Sequence, residues 1–298
     1  METRAYLLQA LSPLHAGTGQ TAGIIDLPIA RMKATGIPFV PGSSVKGVLR
    51  DACRHASDRD KLFEVFGPER EVKGSAGDDS AIDHAGALIV GDARLLALPV
   101  RSFRGTFALV TSPLLLHLAR RDLMEASVPA TGEPLPGLPD LAPGKPGARV
   151  GTSSCNLHKG HVYLEELDLP ATNDKLVDDW ARLISSMVPD GGIAERLLVV
   201  DDETMSFLWD TATQVDTRVR IDSEKHVVAK GALWTEESLP PETLLVGLVA
   251  AQRGMRKEKM TAPDVLATAF GKTSRILQFG GKATVGRGRC RMLLTGAN

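Results

Sequence analysis

Two apolar, β-prone runs, Ala87–Val100 and Phe103–Ser112, are joined by only Arg101-Ser102. A link that short allows an antiparallel hairpin and forbids a parallel crossover, which needs about a dozen residues or more. The pattern recurs at Gln214–Ile221, where polar and apolar residues alternate, and Val227–Trp234, with Asp222-Ser223-Glu224-Lys225 between them. This second pair predicts a β-hairpin with a projecting tip. Further strand-like runs at Arg4–Ser12, His161–Glu166, Leu197–Val200 and Thr243–Ala251 are interleaved with helical patterns. The helices expected are one starting at Pro41-Gly42-Ser43-Ser44 with a side-chain cap, then Asp58–Phe66, Leu114–Met124, Asp174–Met187, Glu203–Trp209 and Pro263–Phe270. In Asp174–Met187, Leu176, Trp180, Leu183, Ile184 and Met187 share one face. Hairpin-like pairs mixed into a strand–helix alternation favour an α+β fold with an antiparallel sheet over a doubly wound parallel one. The chain has no tandem repeat.

With 298 residues, 43% of them apolar and 24% charged, there is material for one large core or two ordinary ones, and global disorder is excluded. Three scattered cysteines, Cys53, Cys155 and Cys290, form neither a disulfide framework nor a Cys-rich zinc site. The N-terminus METRAYLLQA lacks a secretory pattern and no apolar run reaches membrane-spanning length, so a cytoplasmic protein without membrane contact is expected. Glu69–Gly86 has turn composition and reads as an exposed insertion. Between Pro129 and Gly151, eleven of 23 residues are Pro or Gly, a composition that resists helix and sheet.

The formal net charge of −1 hides an uneven distribution. Arg253–Asn298 holds ten Lys/Arg against two Asp/Glu, and Met1–Lys61 eight against five, whereas Gly160–Asp210 holds three against twelve. Basic ends brought together by the fold would offer a polyanion one positive face. Three local features carry chemistry. In the C-terminal loop, Gly280, Gly281, Gly286 and Gly288 allow backbone N–H groups to approach a phosphate, with Lys282, Arg287 and Arg289 adding charge. It is not a Walker A loop, which ends in Gly-Lys-Ser/Thr. Lys46, Arg50 and Arg54 fall at i, i+4 and i+8 on the first helix, and Ser43 and Ser44 at its start suit a phosphate. His15 and Asp26 lie in a glycine-containing connection, residue types that serve as acid, base or metal ligand in phosphodiester cleavage. No nucleophile elbow, HExxH, paired CxxC or EF-hand loop is present. An aromatic content of 4% favours backbone contact over base stacking.

These pieces occur together in one family. LHAGTGQTAGIIDLPIAR (Leu14–Arg31), FVPGSSVKGVLR (Phe39–Arg50), VGDARLLALPVRSFRGTFALVTSPLLL (Val90–Leu116), VDTRVRID (Val215–Asp222), GALWTEESLPPETL (Gly231–Leu244) and FGGKATVGRGR (Phe279–Arg289) cover the chain in order. In these the chain resembles the backbone RAMP subunits of type III-B CRISPR (Cmr) effector complexes. The resemblance implies an RRM-like (ferredoxin-like) antiparallel palm with inserted fingers and a β-hairpin thumb, all within a single RAMP domain, 1–298. The palm is expected from residues 1–50, 87–125, 160–200 and 240–298, with insertions at 67–86 and 129–151 and the thumb at 214–234 (or, in the alternative, in the first insertion).

The resemblance further implies a filament of copies that holds guide RNA, joins other Cmr subunits and cleaves complementary target RNA beside each displaced base. By similarity Asp26 is the residue essential for cutting, with His15 and Glu236 near it, and a divalent cation such as magnesium or manganese takes part, with Asp26 its expected ligand. Ser43, Ser44, Lys46, Arg50, Arg54, Gly280, Gly281, Lys282, Thr284, Gly286, Arg287 and Arg289 are expected on RNA. A backbone grip on phosphates and sugars suits a protein that must accept any guide. The chain departs from the family at Ser238, commonly Tyr, and at Lys282, where an acidic residue often follows Gly-Gly. A scaffold that binds RNA without cutting it is the alternative reading, and a stand-alone processor of guide precursors is a third.

Overall fold

The computed structural model describes residues 1–17, 25–54, 58–68, 85–128, 134–142, 144–188, 192–254, 260–271 and 274–295. In chain order the elements are β1 (Glu2–Ala10), β2 (Phe39–Val40), α1 (Gly42–Cys53), α2 (Arg59–Phe66), β3 (Leu88–Val90), β4 (Ala93–Arg101), β5 (Phe107–Thr111) and α3 (Pro113–Glu125). There follow β6 (Ala148–Val150), β7 (His161–Leu164), β8 (Leu167–Asn173), α4 (Lys175–Met187), α5 (Ile193–Arg196), β9 (Leu197–Val200) and α6 (Asp202–Thr211). The chain continues through β10 (Gln214–Ile221), β11 (Val228–Ser238), β12 (Leu244–Ala251), α7 (Ala262–Phe270), β13 (Arg275–Gln278) and β14 (Arg289–Leu294).

Strand β1 is apolar on both sides and sits inside the sheet, between β14 and β12. Tyr6, Leu8 and Ala10 enter one core and Ala5 and Leu7 the other, as a period of two requires. Helices α1, α2 and α7 cover the first face through Val45, Leu49, Val65, Phe66, Val265 and Leu266. Helices α3 and α4 cover the second through Leu116, Leu123, Trp180 and Ile184. The four strands β14-β1-β12-β4 are antiparallel throughout. With α1 crossing from β1 to β4 and α7 crossing from β12 to β14, they form the βαββαβ weave of a ferredoxin-like sheet, so the expected fold class holds. Beyond β4 the sheet continues through β5, β9, β6, β8 and β7.

Most helix starts are capped as their sequences suggest: Asp58, Ser112, Asp174, Asp201 and Thr261 each accept a first-turn backbone N–H. Helix α1 differs. Pro41 occupies its cap position and has no side chain to offer, so the Asp92 carboxylate accepts Gly42 N at 2.7 Å from across the fold. The same turn at Gly91-Asp92 splits the expected strand Ala87–Val100 into β3 and β4.

The described part of the Pro/Gly-rich stretch is more ordered than its composition suggests. Residues 148–150 pair as β6, and the carbonyls of Pro136 and Gly137 accept from Arg120 Nε at 3.2 Å and Trp180 Nε1 at 2.8 Å. Most of the insertion expected at 67–86 lies outside the described residues.

Strands β10 and β11 form a sheet of their own, in register from Gln214↔Ser238 to Val219↔Leu233 and shifted before the last pair, Ile221↔Val228. Val219, Ile221, Val228 and Leu233 are exposed along it, so the hairpin projects from the body rather than packing on it. Strand β11 runs four residues past the expected end at Trp234, and those four residues carry the site described next.

Candidate functional site

At the hairpin root, β11 receives the N-terminal connection as an extra edge. Leu27 N donates to Thr235 O at 3.1 Å and Glu237 N to Leu27 O at 3.0 Å, a parallel bridge between Leu27 and Glu236. This pairing delivers Asp26 to Thr235. The Asp26 carboxylate Oδ2 accepts from Thr235 N at 2.8 Å and Thr235 Oγ1 at 3.1 Å, while Asp26 N donates to the same hydroxyl at 3.1 Å. Asp26 remains exposed, and among the described residues Oδ1 takes no hydrogen bond. The result is a carboxylate fixed in orientation and open on one oxygen.

His15 lies on the other side of the same root. It is 8% exposed, and its Nδ1 donates to Glu237 O at 2.6 Å, which leaves Nε2 as the ring's acceptor in the neutral form. Gly17 packs against that nitrogen so closely that a Cβ there would stand 2.7 Å from it. The carbonyl of His15 accepts Gly281 N at 3.1 Å, which draws in the glycine loop between β13 and β14. Gly280 makes this possible: its φ is +69°, and a Cβ on it would lie 2.1 Å from the His15 oxygen.

Glu236 is 2% exposed. Its Oε1 accepts from Trp234 Nε1 at 2.6 Å and pairs with Lys282 Nζ at 2.8 Å, and Arg218 Nε stands 3.5 Å from Oε2. Burial pushes its carboxyl upward, and the Lys282 and Trp234 hydrogen bonds outweigh it, holding the group below the ordinary carboxylate range. Asp216 on β10 behaves likewise: burial opposes ionisation, while Arg287 and Gln214 more than compensate. Arg287, 6% exposed, bridges that carboxylate and Ser238 Oγ, the latter at 2.8 Å. Lys282 and Arg287, expected on RNA, therefore spend their charge on hairpin carboxylates. Gly280, Gly281, Thr284, Gly286 and Arg289 are exposed on the loop.

The α1 residues occupy a separate element. Ser43 and Ser44 are exposed at its N-terminus. Lys46 is half-buried, its Nζ donating to Leu88 O at 2.8 Å, and burial followed by the neighbouring Arg50 pulls it below the usual lysine range. Arg50 lies 6.0 Å over the Phe63 ring, and Arg54 is 4.0 Å from Asp51. The structure thus brings His15, Asp26, Glu236 and the glycine loop to one place and leaves Lys46 and Arg50 of the α1 stripe beside β3 and α2.

Thr235, Glu237, Arg31, Asp216 and Arg218 were missing from the sequence reading of this site. The signal available was the pair Glu236-Glu237 directly after an alternating strand: continuing the strand sends the two carboxylates to opposite faces.

Among the described residues no three His, Cys, Asp or Glu side chains converge as a cage for a metal ion. The free oxygen of Asp26 fits a cation that RNA phosphates and water otherwise ligate, the usual arrangement for magnesium.

A ferredoxin-like sheet with a projecting hairpin and a glycine loop at its root is a family architecture, and the chain belongs to the RAMP superfamily, whose profile matches residues 7–291. Within it, the chain is 33% identical to the CRISPR system Cmr endoribonuclease Cmr4 of Pyrococcus furiosus, over 98% of this chain and 96% of that protein. The crystal structure of oligomeric Cmr4 from the same organism matches with a TM-score of 0.72 at 27% identity, covering 99% of this chain and 98% of that one. A chain of the type III-B Cmr-beta complex bound to cognate target RNA, seen by cryo-electron microscopy, matches with a TM-score of 0.73 at 21% identity, over 99% and 97% of the two chains. At that identity the likeness speaks for the fold alone.

Proposed function

We propose that this chain is a guide-RNA-binding, filament-forming backbone subunit of a type III-B CRISPR effector complex, acting in the cytoplasm as the endoribonuclease that cuts complementary target RNA. Its partners are guide RNA, target RNA, further copies of itself and other Cmr subunits. The observation that carries the catalytic part is Asp26: exposed, oriented by two Thr235 donors and open on Oδ1, at the base of a hairpin with an apolar surface.

A hairpin wedge that unstacks one target nucleotide breaks A-form geometry and lets a 2′-hydroxyl line up with the adjacent phosphorus. Asp26 Oδ1 takes the proton from that hydroxyl. The 2′-oxygen bonds to phosphorus as the bond to the 5′-oxygen breaks, and the departing oxygen gains a proton from water. In the alternative, Asp26 Oδ1 would hold a divalent cation such as magnesium or manganese, which would supply charge neutralisation at the phosphate. His15 positions rather than reacts, since its ring is buried on Glu237 O and its carbonyl holds Gly281. Glu236 has the same standing, with both oxygens engaged by cations and an indole. The exposed face of the glycine loop and the start of α1 hold guide backbone.

The test is the assembled complex carrying Asp26→Ala. Loss of target cleavage with target binding retained supports the reading, whereas unchanged cleavage leaves a scaffold. Guide binding is expected to fall steeply with salt and to depend little on guide sequence.

A further inference from the structure

One buried residue of the hairpin root holds the N-terminal connection at both of its described ends. Glu237 is 2% exposed. Its Oε2 accepts Ile29 N at 3.0 Å, and its Oε1 accepts both Arg31 Nη2 at 2.5 Å and Thr213 Oγ1 at 2.9 Å. Its main chain adds the Leu27 carbonyl on one side and the His15 ring on the other. Glu237 therefore grips the connection before residue 18 and again after residue 24. Asp26 immediately precedes Leu27, so its place follows from a segment that Glu237 pins at Leu27, Ile29 and Arg31. Arg31 carries the tie further, to Trp209 O at 2.9 Å and Asp210 at 3.1 Å, where α6 ends and the hairpin begins.

We infer that Glu237 is a positioning residue for RNA cleavage: its buried carboxylate holds the segment presenting Asp26 and ties that segment to the root of the β10–β11 hairpin. This rests on the proposed role of Asp26. Both carboxylate oxygens are consumed by three donors in a water-poor setting, where such a network tolerates little displacement. Removing the side chain strips Ile29 N, Arg31 and Thr213 of a shared acceptor at once. The Asp26–Thr235 bonds, the Leu27 bridge and the Ala30 N to Ala16 O bond remain, but the Ile29 amide and the Arg31 side chain lose their anchor on the hairpin root. A displacement of about 1 Å at a reacting group costs roughly a hundredfold in rate.

The experiment uses assembled complex with guide and target RNA, single-turnover cleavage, target affinity, and amide exchange at Leu27 and Ile29. Glu237→Ala is expected to slow cleavage about a hundredfold while target affinity stays within about twofold. Glu237→Gln, which keeps one acceptor oxygen at the same place, is expected to recover at least part of that loss. In an Asp26→Ala background Glu237→Ala is expected to add no further loss. Unchanged cleavage in Glu237→Ala overturns the inference, as does a fall in target affinity in step with the rate, or full additivity with Asp26→Ala. Should Asp26→Ala itself cut at the wild-type rate, it is the role of Asp26 that fails. Amide exchange then decides the tether separately: faster exchange at Leu27 and Ile29 in Glu237→Ala supports it, and unchanged exchange overturns it.

Discussion

Replacing Lys282 by Met removes an ammonium 2.8 Å from Glu236 and keeps most of the aliphatic stem. At an effective dielectric of about 20 the gross attraction at that distance is about 6 kcal/mol. Desolvation of the 3%-exposed Glu236 side chain and solvent screening of the one-third-exposed Lys282 take back most of it. A net loss of about 2 kcal/mol remains, in the range for a hydrogen bond to a charged group. For a chain of this length that lowers Tm by about 3 °C. The assay is a double-mutant cycle of Lys282→Met and Glu236→Gln, read by thermal or urea unfolding near neutral pH, with an expected coupling of about 2 kcal/mol. The pH dependence has a fixed sign. Glu236 is held below the ordinary carboxylate range, so its contribution is present above that range and is lost as the pH falls through the depressed value. The coupling should accordingly persist at pH 6 and fade in strong acid. Additive single mutants, or a coupling that grows on acidification, would refute the reasoning.

Two further outcomes follow from the same loop. Gly280→Ala puts a Cβ 2.1 Å from the His15 carbonyl at a φ of +69°, so a loss of more than about 2 kcal/mol in unfolding free energy is expected, with weaker guide binding; Gly286→Ala, which meets no atom within 4 Å, should cost only the strain of its own φ, about 1–2 kcal/mol. Arg287→Ala leaves the half-buried Asp216 without its main partner, and an upward move of the Asp216 carboxyl, followed by NMR titration, is the check; an unmoved titration would contradict the pairing.

The fold was largely readable because its signals are local. The hairpin of β4 and β5 and the apolar stripe of the Asp174 helix act over a few residues, and the structure realises both, although the hairpin turn is the five residues 102–106 rather than Arg101-Ser102. Some details differ: the inward face of α4 is Val177, Trp180, Ala181 and Ile184, since Leu183 and Met187 only border the core. Strand β8 was missed because Asp168 and Pro170 interrupt its apolar pattern.

The site was readable only in part. His15 and Asp26 stand out in the glycine-containing connection and Glu236 comes from family resemblance alone, and the structure shows what gathers them. Thr235-Glu236-Glu237-Ser238 looks like the polar end of a hairpin, yet all but Thr235 are buried, because Lys282, Arg31 and Arg287 arrive from distant parts of the chain to neutralise or cap them. Burial of a charge depends on partners that sequence distance conceals. The same holds for Lys282 and Arg287, whose glycine-rich surroundings suggest phosphate contact and whose side chains pair with Glu236 and Asp216.

Asp26→Asn keeps an oxygen for the two Thr235 donors and removes the negative charge and the basic site, so it isolates the carboxylate chemistry from the loop geometry. Single-turnover cleavage of target RNA by complex carrying this variant is predicted to fall by at least about a hundredfold, within the contribution of a positioned acid or base, with target affinity unchanged. Cleavage within twofold of wild type would show that the carboxylate at the hairpin root does not cut RNA.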